Sequence, residues 1–348
     1  MTRFAWLQSR TQTVVASIGV LIVAAIALLT GPDIVHLYNT VIAPCAASGD
    51  CSGTTITLFA HHQRDLRIWL GVLVMAIPGV IGVFWGAPLV AREYESGTHR
   101  LAWTQSITRT RWLSTKIAVV ALISMVIVGL LSFMVTWWAI PFDKVTGTAF
   151  EKFDQRDIVP VAYAAFAVAL GVTAGVFIRR TLPAMATTFF VFIAVRVAFA
   201  KLVRPNLIAP KTLAAALDPE ATGFGRTGSG PAVLEPSPHG IPNAWIQSVK
   251  IVDANGKGLT GDTLAKTCPQ MAIEAKPPAA GNRAPVPEGA KDALHDCVTK
   301  VGNTFHQVVT YQPANRYWSF QLYEFGIYLG AAIVLAGICV WSIRRRRS

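Results

Sequence analysis

The sequence predicts an all-α polytopic membrane protein with six transmembrane helices, N-in/C-in, and a small disulfide-bonded mixed α/β extracytoplasmic domain between helices five and six. Three observations support this fold class. Of the 348 residues, 53% are hydrophobic and only 14% are charged. The mean hydropathy of +0.45 is well above that of an ordinary soluble domain. The basic residues and the cysteines are also distributed unevenly along the chain.

Six stretches are long and apolar enough to cross a bilayer. Four contain no charged residue and supply the roughly 20 helical residues that span its core. The fifth contains Arg196 and the sixth contains Glu324. The stretches are 11–32, 68–91, 117–142, 158–178, 181–200 and 317–343. We therefore predict a multi-pass protein of the cytoplasmic (plasma) membrane.

The basic residues indicate the orientation, because loops on the cytoplasmic side carry an excess of Lys and Arg. With the N-terminus inside, the cytoplasmic segments hold thirteen Lys and Arg against two acids. The outer loops hold 17 against 16, so nearly all of the net charge of +12 lies inside. These bases flank apolar stretches instead of clustering on a soluble face. That pattern argues against a nucleic-acid partner and favours membrane lipid.

The chain divides into five predicted regions. Phe4 and Trp6 alternate with Arg3 and Arg10, which indicates an interfacial helix, although simple aromatic anchoring explains them equally well. The first apolar stretch is too long for a secretory signal and lacks a cleavage site, so we expect it to be retained. The regions are an interfacial N-terminal helix (1–12), helices one to five with a cytoplasmic coupling loop at 90–116 (13–200), the extracytoplasmic domain (201–316), helix six (317–343) and a basic cytoplasmic tail (344–348).

The domain at 201–316 is far too long to be a simple connector. Residues 244–253 alternate as a strand, and residues 253–258 form the turn of a hairpin. The turn lacks the later ligands of a calcium loop. Residues 290–301 have the spacing of a helix.

The cysteines agree with this topology, since disulfides persist in oxidising compartments. Cys45 and Cys51 share the first outer loop, Cys268 and Cys297 share the large one, and Cys339 lies in the sixth stretch. We pair Cys45 with Cys51 and Cys268 with Cys297, although four cysteines allow three connectivities. No CxxC spacing supports a metal site.

No motif indicates catalysis by this chain. A phosphate-binding Gly-x4-Gly-Lys-Ser/Thr loop is missing from the sequence, so any work on ATP and Mg must be done by a partner. The group His61, His62 and Asp65 lacks the spacing of known metal or catalytic sites and is better explained as a solvated loop. We therefore expect a protein that is not an enzyme and that binds no cofactor itself.

Arg196 and Glu324 are the charged residues of the predicted spans, and such residues are costly in lipid. Helical rise places Arg196 about 24 Å and Glu324 about 30 Å from the inner boundary. Both therefore lie toward the outer leaflet. They could pair across helices five and six and hold an outer gate, or each could extend separately to the outer interface.

A polar segment joins the second and third stretches. It contains the only two acids predicted for the cytoplasmic side, Glu93 and Glu95, which the positive-inside bias does not explain. Its charges and Trp103 suit a short helix parallel to the membrane that docks in a groove of another protein. Gly97 would let the chain turn there.

These residues resemble those of permease subunits of ABC-type exporters with the type V fold, especially the actinobacterial branch. The blocks that carry the resemblance are FWGAPLVAREYESGTHRLAWTQS at 84–106, RxRWxxxK at 109–116, IRRTLPAMA at 178–186, LVRP at 202–205 and YQPANRYWSFQ at 311–321. The resemblance as a whole touches all the predicted spans and leaves the middle of the large outer loop uncovered. That loop is longer than in many relatives, which suggests a lid or a docking surface.

The resemblance implies a permease that couples ATP hydrolysis by a partner to export of a drug-like, lipid or peptide substrate. It implies two copies of a cytoplasmic ABC ATPase subunit and a second permease chain, as a homodimer or heterodimer. The segment between helices two and three would receive the motion of the ATPase. The coupling residues would be Arg92, Glu93, Glu95, Gly97, Thr98 and Arg100. The alternative is a membrane receptor or immunity-type protein whose outer domain binds a ligand.

Overall fold

The computed structural model describes residues 2–48, 53–97, 108–146, 150–219, 222–226, 232–236, 241, 243–269 and 290–345. The chain forms two compact units. The first comprises Met1–Leu207 and Arg316–Ser348, and the second comprises Ile208–Asn315.

The described residues form eleven α-helices, which are numbered in chain order. They are α1 (Thr2–Leu37), α2 (Ala43–Ser48), α3 (Gly53–His61), α4 (Arg64–Ile81), α5 (Pro88–Glu95), α6 (Arg109–Thr146), α7 (Val159–Ile178), α8 (Thr181–Ala198), α9 (Gly261–Thr267), α10 (Ala290–Gly302) and α11 (Tyr317–Arg345). Three π-helical turns continue helices of the first unit, at Tyr38–Ile42, Gly82–Gly86 and Phe199–Val203. Short 3₁₀ turns lie at Phe150–Gln155, Arg204–Asn206 and Ala314–Arg316.

The described residues contain six helices long and apolar enough to cross a membrane, as the sequence predicts. They are Val14–Cys45, Arg64–Glu95, Arg109–Val145, Val159–Ile178, Thr181–Asn206 and Ala314–Arg345. Most are longer than the predicted stretches. They extend past the first charged residue at their ends, because a helix can carry polar residues into the interfacial region.

Two helices continue across boundaries between regions that the sequence predicts to be separate. Helix α1 is continuous from Thr2 to Leu37, so no break separates the predicted interfacial helix from the first span. Helix α5 follows α4 through the π-helical turn Gly82–Gly86. The segment that we expect as a separate short helix is therefore, up to Glu95, the end of the second span. The assignment of 1–12 to the membrane interface and of 90–116 to a cytoplasmic coupling loop stays a prediction.

Helix α7 is the centre of the first unit. It contacts α4, α5, α6, α8 and α11, and 72% of its most apolar window is buried, against 17% for the first span. Its sequence explains this position. A helix that is apolar on all sides and rich in Ala, Gly and Val can be surrounded closely by other helices.

The second unit contains two antiparallel sheets. Strands β1 (Lys211–Ala215), β4 (Trp245–Asp253) and β5 (Phe305–Gln312) form a sheet in the order β1-β5-β4, and β2 (Thr222–Arg226) pairs with β3 (Ala232–Pro236). A small core includes Leu217, Leu264, Val298 and Val301. The second unit therefore has a hydrophobic core of its own, as a domain does.

Four predictions for the second unit are confirmed. Strand β4 and helix α10 coincide with the predicted strand and helix. The Asp253 carboxylate accepts hydrogen bonds from the amides of Asn255 and Lys257 at 2.9 and 2.8 Å, which makes the turn after β4. Cys268 and Cys297 form a disulfide.

The other cysteine pair falls partly outside the described residues. Cys45 takes part in a disulfide, but Cys51 is not among the residues described, so its pairing with Cys45 stays a prediction. Cys339 is free and buried. Among the described residues, no three His, Cys, Asp or Glu side chains are placed to hold a metal ion.

Candidate functional site

The first candidate region is the end of α5, which carries the residues expected to receive a partner. Arg92 and Glu95 are exposed, and Glu93 is partly buried. Gly97 has a φ of +72° just after the helix, a conformation that glycine adopts without strain. Thr98 and Arg100 lie outside the described residues. Gly97 therefore turns the chain as expected, and the coupling role of all six residues stays a prediction.

Glu93 pairs with a basic residue of the third span. Its Oε1 atom accepts a hydrogen bond from Nζ of Lys116, 23 residues along the chain. Lys116 is only 2% exposed, and its ammonium lies 4.7 Å from the centroid of the Trp112 ring. A buried ammonium needs a partner, and the carboxylate of Glu93 supplies it.

Glu95 contacts the beginning of α8. Its Oε2 atom accepts hydrogen bonds from the backbone amide and the hydroxyl of Thr181, at 3.2 and 2.6 Å. Thr181 is the first residue of α8, where the amides have no partner within the helix. The negative charge also complements the positive end of the helix dipole. Glu95 thus acts as a cap supplied by another helix.

Glycines bring the second span against α7 at backbone distance. A Cβ atom at Gly171 would lie 2.3 Å from the carbonyl oxygen of Gly82, and one at Gly175 would lie 2.7 Å from that of Ala87. A side chain at either position would force the helices apart. The pair Gly171 and Gly175 therefore packs within the bundle.

The second candidate region is a polar cluster, defined as Asp154, Tyr163, Arg196, Arg204 and Glu324. The structure brings Arg196 and Glu324 together, with Nη1 of the arginine 3.7 Å from Oε1 of the carboxylate. Both are buried, at 6% and 0% exposure. They do not extend separately to an interface, and their role as a gate stays a prediction.

Arg204 lies closer to Glu324 than Arg196 does. Its Nε and Nη2 atoms donate to the two carboxylate oxygens at 2.8 and 2.9 Å, which is the bidentate geometry of a strong arginine–carboxylate pair. Its Nη1 atom also donates to Asp154 at 3.2 Å. Arg196 lies 3.2 Å from the same aspartate. Two arginines and two carboxylates therefore balance one another within the cluster.

Tyr163 completes the polar cluster from the central helix α7. Its hydroxyl lies 3.0 Å from Oδ1 of Asp154 and in hydrogen-bond contact with Glu324. The guanidinium carbon of Arg196 is 3.4 Å from the centroid of the Tyr163 ring, so the ring covers the cation. The cluster joins α7, α8, α11 and the 3₁₀ turns Phe150–Gln155 and Arg204–Asn206.

A π-helical turn brings the two arginines onto one side of their helix. In a regular α-helix, residues eight apart such as Arg196 and Arg204 differ by about 80° in direction. A π-helical turn holds an extra residue. The segment Phe199–Val203 lies between the arginines, and taking up one residue there reduces the difference to about 20°.

The charge of Asp154 is maintained by its neighbours. Burial raises the pKa of its carboxyl, but the Arg196 guanidinium and hydrogen bonds from Arg204 and Tyr163 more than offset this and hold that pKa below its ordinary value. Asp154 is therefore ionised at neutral pH, where it balances the arginines.

The sequence pattern does not predict Asp154, Tyr163 or Arg204 as part of the site. Asp154 lies in a connection, where a charge needs no special explanation, and Arg204 lies beyond the end of the predicted fifth stretch. Helical periodicity gave no signal for Arg204, because it directs this residue about 80° away from Arg196.

These observations define a polytopic helical membrane protein with polar side chains joined inside its bundle. The model of the ABC-2 membrane transporter related family matches residues 17–204. The chain belongs to this family, which supports an ABC-2-type permease and, in general, partnership with an ABC ATPase. Neither a curated protein nor a solved structure matches the chain.

Proposed function

We propose that this chain is the permease of an ATP-driven exporter. Two copies of a cytoplasmic ABC ATPase would bind at the α5 end, and a second permease chain would complete the pathway for a drug-like, lipid or peptide substrate. Family membership supports a permease. Export, the substrate, the copy number and the second chain are parts of the proposal.

The observation that carries the proposal is the backbone packing of the second span on α7. Because Gly82 and Gly171 leave no room for side chains between them, the two helices lie in direct backbone contact. A force applied to α5 would reach the central helix directly. Packed cores respond to such forces by discrete shifts of whole helices rather than by gradual deformation.

We further propose that the polar cluster holds the bundle closed on the side away from the ATPase. Its arginines lie on the fifth span, Thr181–Asn206, which begins with α8. Their partners lie on α7, α11 and the turn before α7. Movement of α8 against these elements would break several charge-assisted hydrogen bonds together. Such a closed state would open only when ATP binding or hydrolysis supplies the energy.

Affinity purification of the full chain from native membranes tests the proposal. We expect an ABC ATPase to co-purify and to hydrolyse ATP in the reconstituted complex. Labelling of Ser96→Cys with a membrane-impermeant maleimide should occur only from the cytoplasmic side. A chain that purifies without an ATPase, or a label that reacts from outside, would contradict the proposal.

One observation favours the receptor alternative. The second unit has a cavity of about 460 Å³ lined by Leu234, Ile251, Leu259 and Leu264, with Lys250 at its wall. Cavities of this size bind small molecules. The same purification separates the two functions, because a receptor of this kind would retain ligand binding in the absence of any ATPase.

A further inference from the structure

Glu93 and Glu95 lie two residues apart on α5, yet they contact two different spans. Glu93 pairs with Lys116 of α6, and Glu95 accepts hydrogen bonds from Thr181 of α8. Both carboxylates are therefore engaged within the chain. This arrangement explains why two acids occur in a segment otherwise dominated by basic residues.

The Glu93 contact is well protected from solvent. The side chains of Lys116 and Glu93 are 3% and 14% exposed. Lys116 lies two turns into α6, beyond the first helical residue Arg109. If Glu93 turned outward to meet a partner protein, the ammonium of Lys116 would stay buried without its carboxylate, which is costly.

The Glu95 contact is exposed but is placed at the start of a rigid element. Thr181 follows directly on Arg180, whose backbone is extended. The α7–α8 connection is thus short, and the carboxylate of Glu95 fixes the first turn of α8 against the end of α5.

We propose that Glu93 and Glu95 are positioning residues that transmit displacement of α5 separately to α6 and α8, and that neither is a docking group for the ATPase. The inference rests on the proposed function, because it assumes that an ATPase displaces α5. In this proposal, Glu93 moves the third span and Glu95 moves the fifth span. The polar cluster then receives motion through the fifth span, which begins with α8 and carries both of its arginines.

The experiment measures distances in the full complex. Spin labels replace Leu122 on α6 and Phe190 on α8, each paired with a label at Val334 on α11. All three native side chains are exposed, at 63%, 68% and 61%. The change in each distance on adding a non-hydrolysable ATP analogue is measured, together with the amount of ATPase bound and its rate of hydrolysis.

We expect Glu93→Gln to suppress the change on α6 and to spare that on α8. Thr181→Val should do the opposite, whereas Lys116→Arg and Thr181→Ser, which keep the charge or the hydroxyl, should behave as wild type. ATPase binding should be unchanged. The stimulated rate of ATP hydrolysis should fall about fivefold or more, because about fivefold is the smallest effect that is typical of coupling between two sites. If Glu93→Gln fails to fold, the exchanged pair Glu93→Lys with Lys116→Glu should restore the α6 change.

Three outcomes would overturn the inference. Loss of ATPase binding by Glu93→Gln would make Glu93 a docking group. Equal suppression of both distances by either variant would show a general structural role. Unchanged distances in both variants would show that neither glutamate transmits motion. A wild-type chain that binds no ATPase would instead overturn the proposed function, and this inference with it.

Discussion

The polar cluster and the α5 contacts join helices in two different ways. The cluster brings together five side chains from five elements, with two positive and two negative charges and with Glu324 fully buried. The α5 contacts are two separate pairs, and one of them, between Glu95 and Thr181, is exposed. A buried network is costly to break at any one member. An exposed pair is weak and can break and re-form. The cluster therefore suits holding, and the exposed contact of Glu95 with Thr181 suits transmission.

Helix α8 connects the two regions. Thr181 is its first residue, and Arg196 lies 15 residues further on, about 22 Å at the rise of an α-helix. A rigid helix can carry a displacement over this distance without change in its internal hydrogen bonds. Both regions therefore act on one element, from opposite ends, and their strengths can be compared by substitution.

The largest effect is expected for Glu324→Ala. It leaves Arg196 and Arg204 buried with a single acid, Asp154, and removal of one partner from a buried pair typically costs about 3–5 kcal/mol. Thermal unfolding in detergent measures the loss. Tyr323→Ala, on the exposed side of the same helix, is the control and should have little effect. A loss for Glu324→Ala as small as that of the control would remove the distinction between the regions.

The register of α8 gives a second large effect. Deleting Ala200 from the π-helical turn should restore a regular α-helix and keep both arginines in the cluster, because the turn contains the extra residue. Deleting Val191 from the regular part of α8 should rotate both arginines by about 100° and abolish folding. Size-exclusion profiles and circular dichroism distinguish the two. Equal damage from both deletions would mean that the π-helical turn does not set the register.

The spans, one pair of the polar cluster and one disulfide could be predicted from the sequence. The six spans follow from the length of apolar stretches, since a bilayer imposes about 20 helical residues. Helical rise places Arg196 and Glu324 at a similar depth, and they lie in contact. The pair Cys268 and Cys297 follows from compartment and position.

The remaining contacts depend on features without a sequence signal. Arg204 joins the cluster because a π-helical turn changes its direction, and the regular 100° periodicity points it elsewhere. Lys116 and Thr181 meet the glutamates of α5 only after the helices have packed. Which residues pair with the glutamates therefore depends on the tertiary structure, whereas the two acids themselves can be recognised in the sequence.

The pH dependence of Asp154 sharpens the comparison. Its folded-state pKa lies below its ordinary value of about 3.9, so its stabilising contribution is complete above that value and is lost as the pH falls through the lower folded-state pKa. We expect Asp154→Asn to cost about 2 kcal/mol at pH 7, within the range for charge-assisted hydrogen bonds. The difference from wild type should be constant from neutral pH down to about 5 and should shrink below about 4. Unfolding midpoints measured across this range check it. A difference that grew on acidification would mean that the pKa is raised.

The smallest effect on stability is expected at the exposed α5 contact. Thr181→Val removes the hydroxyl that donates to Glu95 but leaves the backbone amide to do so, and water can solvate an exposed carboxylate. The unfolding midpoint should therefore stay close to that of Thr181→Ser and far above that of Glu324→Ala. The same substitution is expected to impair coupling in the complex with the ATPase. A contact that transmits motion adds little to the stability of the folded state but is needed for the movement. A contact that holds the bundle closed adds much to that stability. If Thr181→Val destabilised the bundle as strongly as Glu324→Ala, the α5 contact would belong to the holding network, and α8 would be fixed at both ends.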